Sequence, residues 1–369
     1  MNKTFGILAA ASLALGMSTS LALAQATISV GSAGPMTGAL ANFGTQLRKG
    51  AEMAVADINA AGGVMGKKLV LEIGDDQCDP KQAVAVANQL ASKKVAVVFG
   101  HFCSGSSIPA NDVYNDAKIL QITPASTNPK LTEQGRTMVF RACGRDDIQG
   151  AFAGKYINQT YKGKNIAIIH DKSAYGKGVA DETRKALKGG PTKEVMYDSL
   201  TAGEKDFSAL VSKMKAAKTD VIVFGGYHPE GGILIKQARE QGLNAQMIGF
   251  DALVDKEFGQ IAGKASDGVL MTDAPDYRLF PSAAAVVAKF KAASYDPEGY
   301  TLRSYASVQV WAEAVKKAGS TDSAKVAAAL RAGKYKTVIG ELGYDKKGDI
   351  VNPEYAFYVW KDGNYAQRK

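Results

Sequence analysis

Cysteine and histidine are both scarce in this chain, with three of each among 369 residues. No two of Cys78, Cys103 and Cys143 stand at metal-ligand spacing, and no histidine accompanies them in the needed pattern, so a zinc site is not expected. His101, His170 and His228 form no HExxH pair and read as ordinary loop histidines. The sequence also lacks a GxSxG elbow, a GxxxxGK[ST] loop and a GxGxxG turn after the first strand. These absences argue against a metallopeptidase, a serine hydrolase and a nucleotide or dinucleotide site, and no cofactor is expected. The net charge of +9 is not organised into a basic stripe. Its lysines fall in scattered pairs such as Lys67-Lys68, Lys93-Lys94, Lys316-Lys317 and Lys346-Lys347, mostly with acidic neighbours, which describes a solvated surface and no nucleic-acid partner.

What is present begins at the N-terminus. Lys3 precedes an apolar run from Phe5 to Met17, and the segment closes on Ala22-Leu23-Ala24. A basic start, a short apolar middle and small residues at −3 and −1 are the parts of a secretory signal peptide, here 1–24, with Ala26 as a second possible end. The run is shorter than the roughly 20 residues needed to span a bilayer, and nothing later in the chain is long enough. A soluble protein exported to the periplasm is therefore expected. An oxidising compartment there allows one disulfide among the three cysteines and leaves one thiol over.

From Thr27 the pattern alternates between strand and helix. Strands read at Thr27–Ala33, Leu69–Ile73, Val95–Phe99 and Ile119–Ile122, and again at Ile166–Ile169, Val195–Tyr197, Val221–Phe224, Met247–Phe250 and Val269–Thr272. Near-continuous apolar runs such as Val95–Phe99 suit strands covered on both faces. Helix signals lie between them: Pro80 after Asp79, and Pro229–Gln241 followed by Gly242. The alternation predicts an α/β chain with two doubly wound parallel-sheet lobes. After Thr272 come helices near Ala283–Ser294, Ser304–Ala318 and Ser323–Arg331, then short strands around Ile339–Tyr344 and Tyr355–Trp360.

Open parallel sheets bind ligands beyond the carboxyl ends of their strands, so the residues there are the ones to read. After Phe99 comes His101-Phe102-Cys103-Ser104-Gly105-Ser106-Ser107, a helix start that suits a lone carboxylate better than a phosphate. Taken alone, that loop reads equally as a serine-rich cap without a ligand. Thr123-Pro124-Ala125-Ser126-Thr127 adds a hydroxyl and a carbonyl on the same rim. In the second half, Tyr175, Tyr227 and Asp251 stand at strand ends. Donors on one lobe, with tyrosines and a carboxylate on the other, match a zwitterion.

Several longer runs carry a family likeness. They are Asp57-Ile58-Asn59-Ala60 with Gly62-Gly63, Cys78-Asp79-Pro80-Lys81-Gln82-Ala83, Thr123-Pro124-Ala125, His170-Asp171-Lys172 with Tyr175-Gly176, Thr201-Ala202-Gly203-Glu204-Lys205-Asp206-Phe207, and Gly225-Gly226-Tyr227-His228-Pro229-Glu230. In this order they closely resemble the periplasmic leucine/isoleucine/valine-binding proteins of ABC transporters, over nearly all the chain after the signal peptide and least after Thr272. The resemblance implies a type I periplasmic-binding-protein fold, with two hinged lobes joined by three crossover strands. One lobe would be 27–143 with 276–352, the other 144–275 with 353–369.

The resemblance also implies a ligand set. Ser104 and Thr127 would hold a carboxylate, and the Ala125 carbonyl, the Thr127 hydroxyl and Asp251 an ammonium. Tyr175 and Tyr227 would close from the second lobe, with Phe43, Phe102, Cys103 and Tyr300 completing the lining. Cys78 and Cys103 would form the disulfide, leaving Cys143 in the core. The implied partners are an amino acid and ABC transporter permease subunits, with the protein itself a monomer and no enzyme. Three positions depart from the family: Asp251 stands for the usual glutamate, Phe43 for tyrosine and Phe102 for leucine, and Arg303 has no clear counterpart. The competing readings are the same clamp around another small carboxylate and, more remotely, an exported hydrolase. A sugar-responsive repressor core shares the fold but needs a DNA-binding helix pair where the signal peptide stands.

Overall fold

The computed structural model describes residues 27–368; the expected signal peptide lies outside them. The chain first builds a five-stranded parallel sheet from β1 (Thr27–Gly34), β2 (Lys68–Asp75), β3 (Val97–Gly100), β4 (Leu120–Thr123) and β5 (Val139–Arg141), in the order β2-β1-β3-β4-β5. Helices α1 (Ala41–Ala60), α2 (Pro80–Ser92), α3 (Ser104–Asp116) and the short α4 (Lys130–Glu133) connect these strands. The carboxylate of Asp79 caps α2 by accepting from the N–H groups of Lys81 and Gln82, and Pro80 occupies the first turn.

Beyond β5 the chain crosses to a second sheet. There α5 (Asp146–Thr160), β6 (Asn165–His170), α6 (Ala174–Leu187), β7 (Lys193–Ser199), α7 (Ser208–Ala216), β8 (Val221–Gly225), α8 (His228–Glu240), β9 (Gln246–Gly249), α9 (Lys256–Ala262) and β10 (Leu270–Asp273) follow in turn. It then returns as α10 (Ala284–Ala292), α11 (Thr301–Ala318), α12 (Ser323–Ala332) and the hairpin β11 (Lys334–Thr337) with β12 (Gly340–Gly343), which join the first core. Gly50 lets α1 and α11 touch: a β-carbon there would lie 2.2 Å from the Thr301 carbonyl oxygen. A third passage leads to β13 (Ala356–Lys361) and β14 (Asn364–Gln367) on the second sheet, whose order is β14-β13-β10-β9-β8-β6-β7.

This second sheet is mixed, which revises the wholly parallel expectation. β13 runs antiparallel to β10, and β14 antiparallel to β13. No crossover helix precedes β13, and a two-residue Asp362-Gly363 turn, both residues at positive φ, folds β14 back on it. β5, β11 and β14 are additions to the sequence reading.

In both sheets the strand order reverses beside the first strand of its unit, between β1 and β3 and between β6 and β8. The carboxyl ends at these reversals carry the loops read above as binding loops. One apolar cluster bridges the two lobes, joining Phe43, Leu47, Phe102, Ala125 and Tyr300 with Tyr175, Tyr227 and Phe250. The structure is thus that of a closed clamp. Among the described residues, no helix is long and apolar enough to cross a membrane.

Candidate functional site

Each lining residue is delivered by an element end. Ser104 begins α3, Ala125 follows β4, Tyr175 lies in the first turn of α6, and Tyr227 precedes α8. Asp251 and Ala252 follow β9, and Tyr300 immediately precedes α11. Together with Phe102 these residues line a cavity of about 10 Å³ between the lobes. That is room for about one water molecule, far below the roughly 300–1,000 Å³ of ordinary ligand clefts, so the lobes lie close together over the site.

Asp251 is the electrostatic centre. It is 3% exposed, and its two oxygens accept hydroxyl hydrogen bonds from Tyr175 at 2.9 Å and Tyr300 at 2.8 Å. Burial raises its pKa above the usual carboxylate range, against the pull of Arg303 and the two tyrosines. Arg303, one turn into α11, is also buried; it pairs with Asp273 and lies 4.8 Å over the Tyr300 ring. Sequence reasoning left Arg303 without a role because its partner Asp273 lies in another strand and lobe.

The donor side is built around Thr127. The Ser104 hydroxyl accepts from the Asn128 N–H at 3.2 Å, and the Thr127 carbonyl accepts from the Asp146 N–H at 3.0 Å. Thr127 is not among the residues around that small cavity, and its hydroxyl is buried with no hydrogen bond of ordinary geometry. Beside it Asp146 is fully buried, and both its oxygens lack partners of good geometry. Burial drives the Asp146 pKa well up, aided by Asp251, while Thr127 and Arg141 oppose the shift.

Arg141 holds this loop. Its guanidinium donates to the carbonyl oxygens of Ser126 at 2.5 Å and Asn128 at 2.8 Å, on either side of Thr127, and to the hydroxyl of Thr132. It also donates to Asp349 at 2.6 Å, whose other oxygen accepts from Arg145 at 2.7 Å. Burial disfavours the charge of Asp349, but the two arginines hold its pKa below the usual range. The binding loop, the first passage between lobes and the segment before the third are thereby one network.

One end of the cavity is aromatic. Phe43 and Phe102 stack with centroids 4.4 Å apart, and Tyr300 stands edge-on to both at 5.4 and 4.8 Å. Phe43 contributes to this wall from behind Phe102. Cys103 is tied to Cys78 by a disulfide with Cα atoms 5.5 Å apart, so its sulfur is committed to the bond. Cys143 is a buried free thiol whose pKa is pushed up to about 12, chiefly by desolvation. His101 is also structural, fully buried between Asp76 and Tyr114.

A periplasmic binding protein family model matches residues 27–364. The chain belongs to this family. It is 51% identical to an amino acid binding protein of Pseudomonas aeruginosa, over 98% of this chain and 97% of the relative. It is 48% identical to Leu/Ile/Val-binding protein homolog 1 of Brucella suis, over the full length of both. Among solved structures, a branched-chain amino acid transporter substrate-binding protein of Streptococcus pneumoniae, in complex with isoleucine, superposes with a TM-score of 0.84. It shares 28% identity, over 92% of this chain and 98% of that one. The fold is the type I periplasmic-binding-protein fold, and the family's role is solute binding for transport.

Proposed function

We propose that this protein captures an aliphatic amino acid, branched-chain or another neutral one, between its lobes and delivers it to the membrane subunits of an ABC importer. The observation that carries the reading is Asp251, a buried carboxylate facing the inter-lobe cavity opposite the Ser104 start of α3. A buried carboxylate is costly unless a cation meets it, and a helix start favours a carboxylate. An α-amino acid supplies both charges. The aromatic wall supports an aliphatic side chain and leaves no charged partner for an acidic or basic one. The relatives named for leucine, isoleucine and valine point the same way.

On this reading Ser104 and Thr127 serve the carboxylate, Ala125, Thr127 and Asp251 the ammonium, and Tyr175 and Tyr227 the closure. The lobes are 27–143 with 276–352 and 144–275 with 353–369. The protein acts as a periplasmic monomer after removal of 1–24, without catalysis. Titration calorimetry of unfolded-and-refolded, ligand-stripped protein against the twenty amino acids and a set of aromatic acids tests it. Binding of alanine, valine or leucine is expected. Binding of aromatic acids with no amino acid among the ligands would overturn the proposal.

A further inference from the structure

Beyond the cavity, the lobes meet through a second set of side chains that touch none of the space a ligand would fill. Asn42 and Gln46 lie one turn apart on α1, in the first lobe. Facing them from the second lobe are His228 at the start of α8 and Asp255 and Glu257 around the start of α9. The Asn42 amide donates to Glu257 at 3.0 Å and more loosely to Asp255 at 3.4 Å. Gln46 donates to the other Asp255 oxygen at 3.3 Å. Its own carbonyl is held by the N–H of Tyr300 at 2.9 Å, which fixes the amide's orientation.

On the other side the acceptors are equally prearranged. Asp255 caps α9 by accepting from the Glu257 N–H at 2.9 Å, and His228 Nε2 lies 3.0 Å from the Glu257 carboxylate. The His228 ring is fully buried and packs edge-on against Phe43 of the first lobe, with centroids 5.0 Å apart. His228, Asp255 and Glu257 offer ligand atoms within 4.8 Å of one another. Both Asp255 oxygens are already engaged, however, so these groups are arranged for the other lobe rather than for a metal ion.

We infer that Asn42 and Gln46, with Asp255, Glu257 and His228, form an inter-lobe latch that sets the affinity for every ligand alike by stabilising the closed state. The bonds join residues 209 to 215 positions apart on different lobes, so they exist only when the lobes are closed. A contact present in one of two states shifts their equilibrium by its own free energy, whatever occupies the cavity. The inference rests on the proposed function in one respect, that amino acids bind between lobes that open and close.

The test uses the full mature protein, stripped of ligand, with Asn42→Ala and Glu257→Ala, both at exposed or half-exposed positions that leave the core intact. Each is expected to weaken alanine, valine and leucine by one common factor of roughly three- to tenfold, the worth of an ordinary hydrogen bond. The loss should appear in a faster dissociation rate, with association unchanged. The double variant should lose less than the product of the two factors, because both act on one contact. Affinities equal to the parent's, or losses that differ between the three ligands, would overturn the latch while leaving the functional reading in place. A parent protein that binds none of the three would overturn both.

Discussion

Tyr300 donates its hydroxyl hydrogen bond to Asp251 at 2.8 Å from the opposite lobe. The carboxylate expected to meet the ligand's ammonium is therefore anchored on both sides of the cleft, by Tyr175 from its own lobe and by Tyr300 from the other. Aspartate has a shorter reach than glutamate, and the two hydroxyls hold it at the cavity.

Asp251→Asn is expected to weaken every amino-acid ligand by roughly ten- to a hundredfold, the worth of a charge-assisted hydrogen bond. Thermal stability should be unchanged or higher, since a buried carboxylate is removed. Calorimetry alongside a melting curve separates the two effects. Leucine or alanine binding as tightly as to the parent would remove Asp251 from the site.

The stacked Phe43 and Phe102 fill space at the end of the cleft expected to take the ligand's side chain. Phe102→Leu should shift the leucine-to-alanine affinity ratio toward leucine by about tenfold, the low end of what one methylene decides in an apolar pocket. Competition binding of the two ligands reads the ratio directly, and an unchanged ratio would place the side chain elsewhere.

Non-reduced protein, denatured and alkylated, should carry label on Cys143 alone and yield a Cys78–Cys103 crosslinked peptide in mass spectra. Reduction should cost about 3 kcal/mol of stability on the chain-entropy account of a loop this long. Label on all three cysteines in non-reduced material would contradict the bond.

Binding should weaken as pH falls. The pKa values of Asp251 and Asp146 are both raised, first by burial, and Asp251 further raises that of Asp146. Arg303, Tyr175, Tyr300 and Gln149 oppose the shift at Asp251, and Arg141 and Thr127 at Asp146. An incoming ammonium favours the ionised carboxylates, so affinity is greatest above these raised pKa values and is lost as pH drops through them. Protons are released on binding, and calorimetry in buffers of different ionisation enthalpy should detect them. Uncorrected heats that do not vary with the buffer's ionisation enthalpy, across mildly acidic to neutral pH, would exclude the linkage.

Much of this architecture is legible in the sequence because it is local. Runs such as Val221–Phe224 are apolar at every position, and all of β8 is buried. β5 escaped notice because it is three residues long and ends in Arg141, a charge that normally marks a loop. That charge is buried because its partners, notably Asp349, lie 208 residues away. β14 is short and mostly exposed, so it lacks an apolar pattern, although the Asp362-Gly363 turn announced it. At the site, strand-end reasoning located Ser104, Ala125, Tyr175, Tyr227 and Asp251. It had no access to Arg303, Asn42 or Gln46, whose meaning depends on the other lobe.

The bracket that Arg141 places around Thr127 divides the labour of recognition. Its bonds fix main-chain carbonyls beside the proposed grip on the groups common to all α-amino acids, and it contributes nothing to the aromatic wall. The wall rests on separate supports, in α1 and at the head of α11. A change of cargo can therefore be written in Phe43 and Phe102 without disturbing the grip, whereas Tyr300 serves both the wall and Asp251. This scaffold is open to retargeting by side-chain replacement alone.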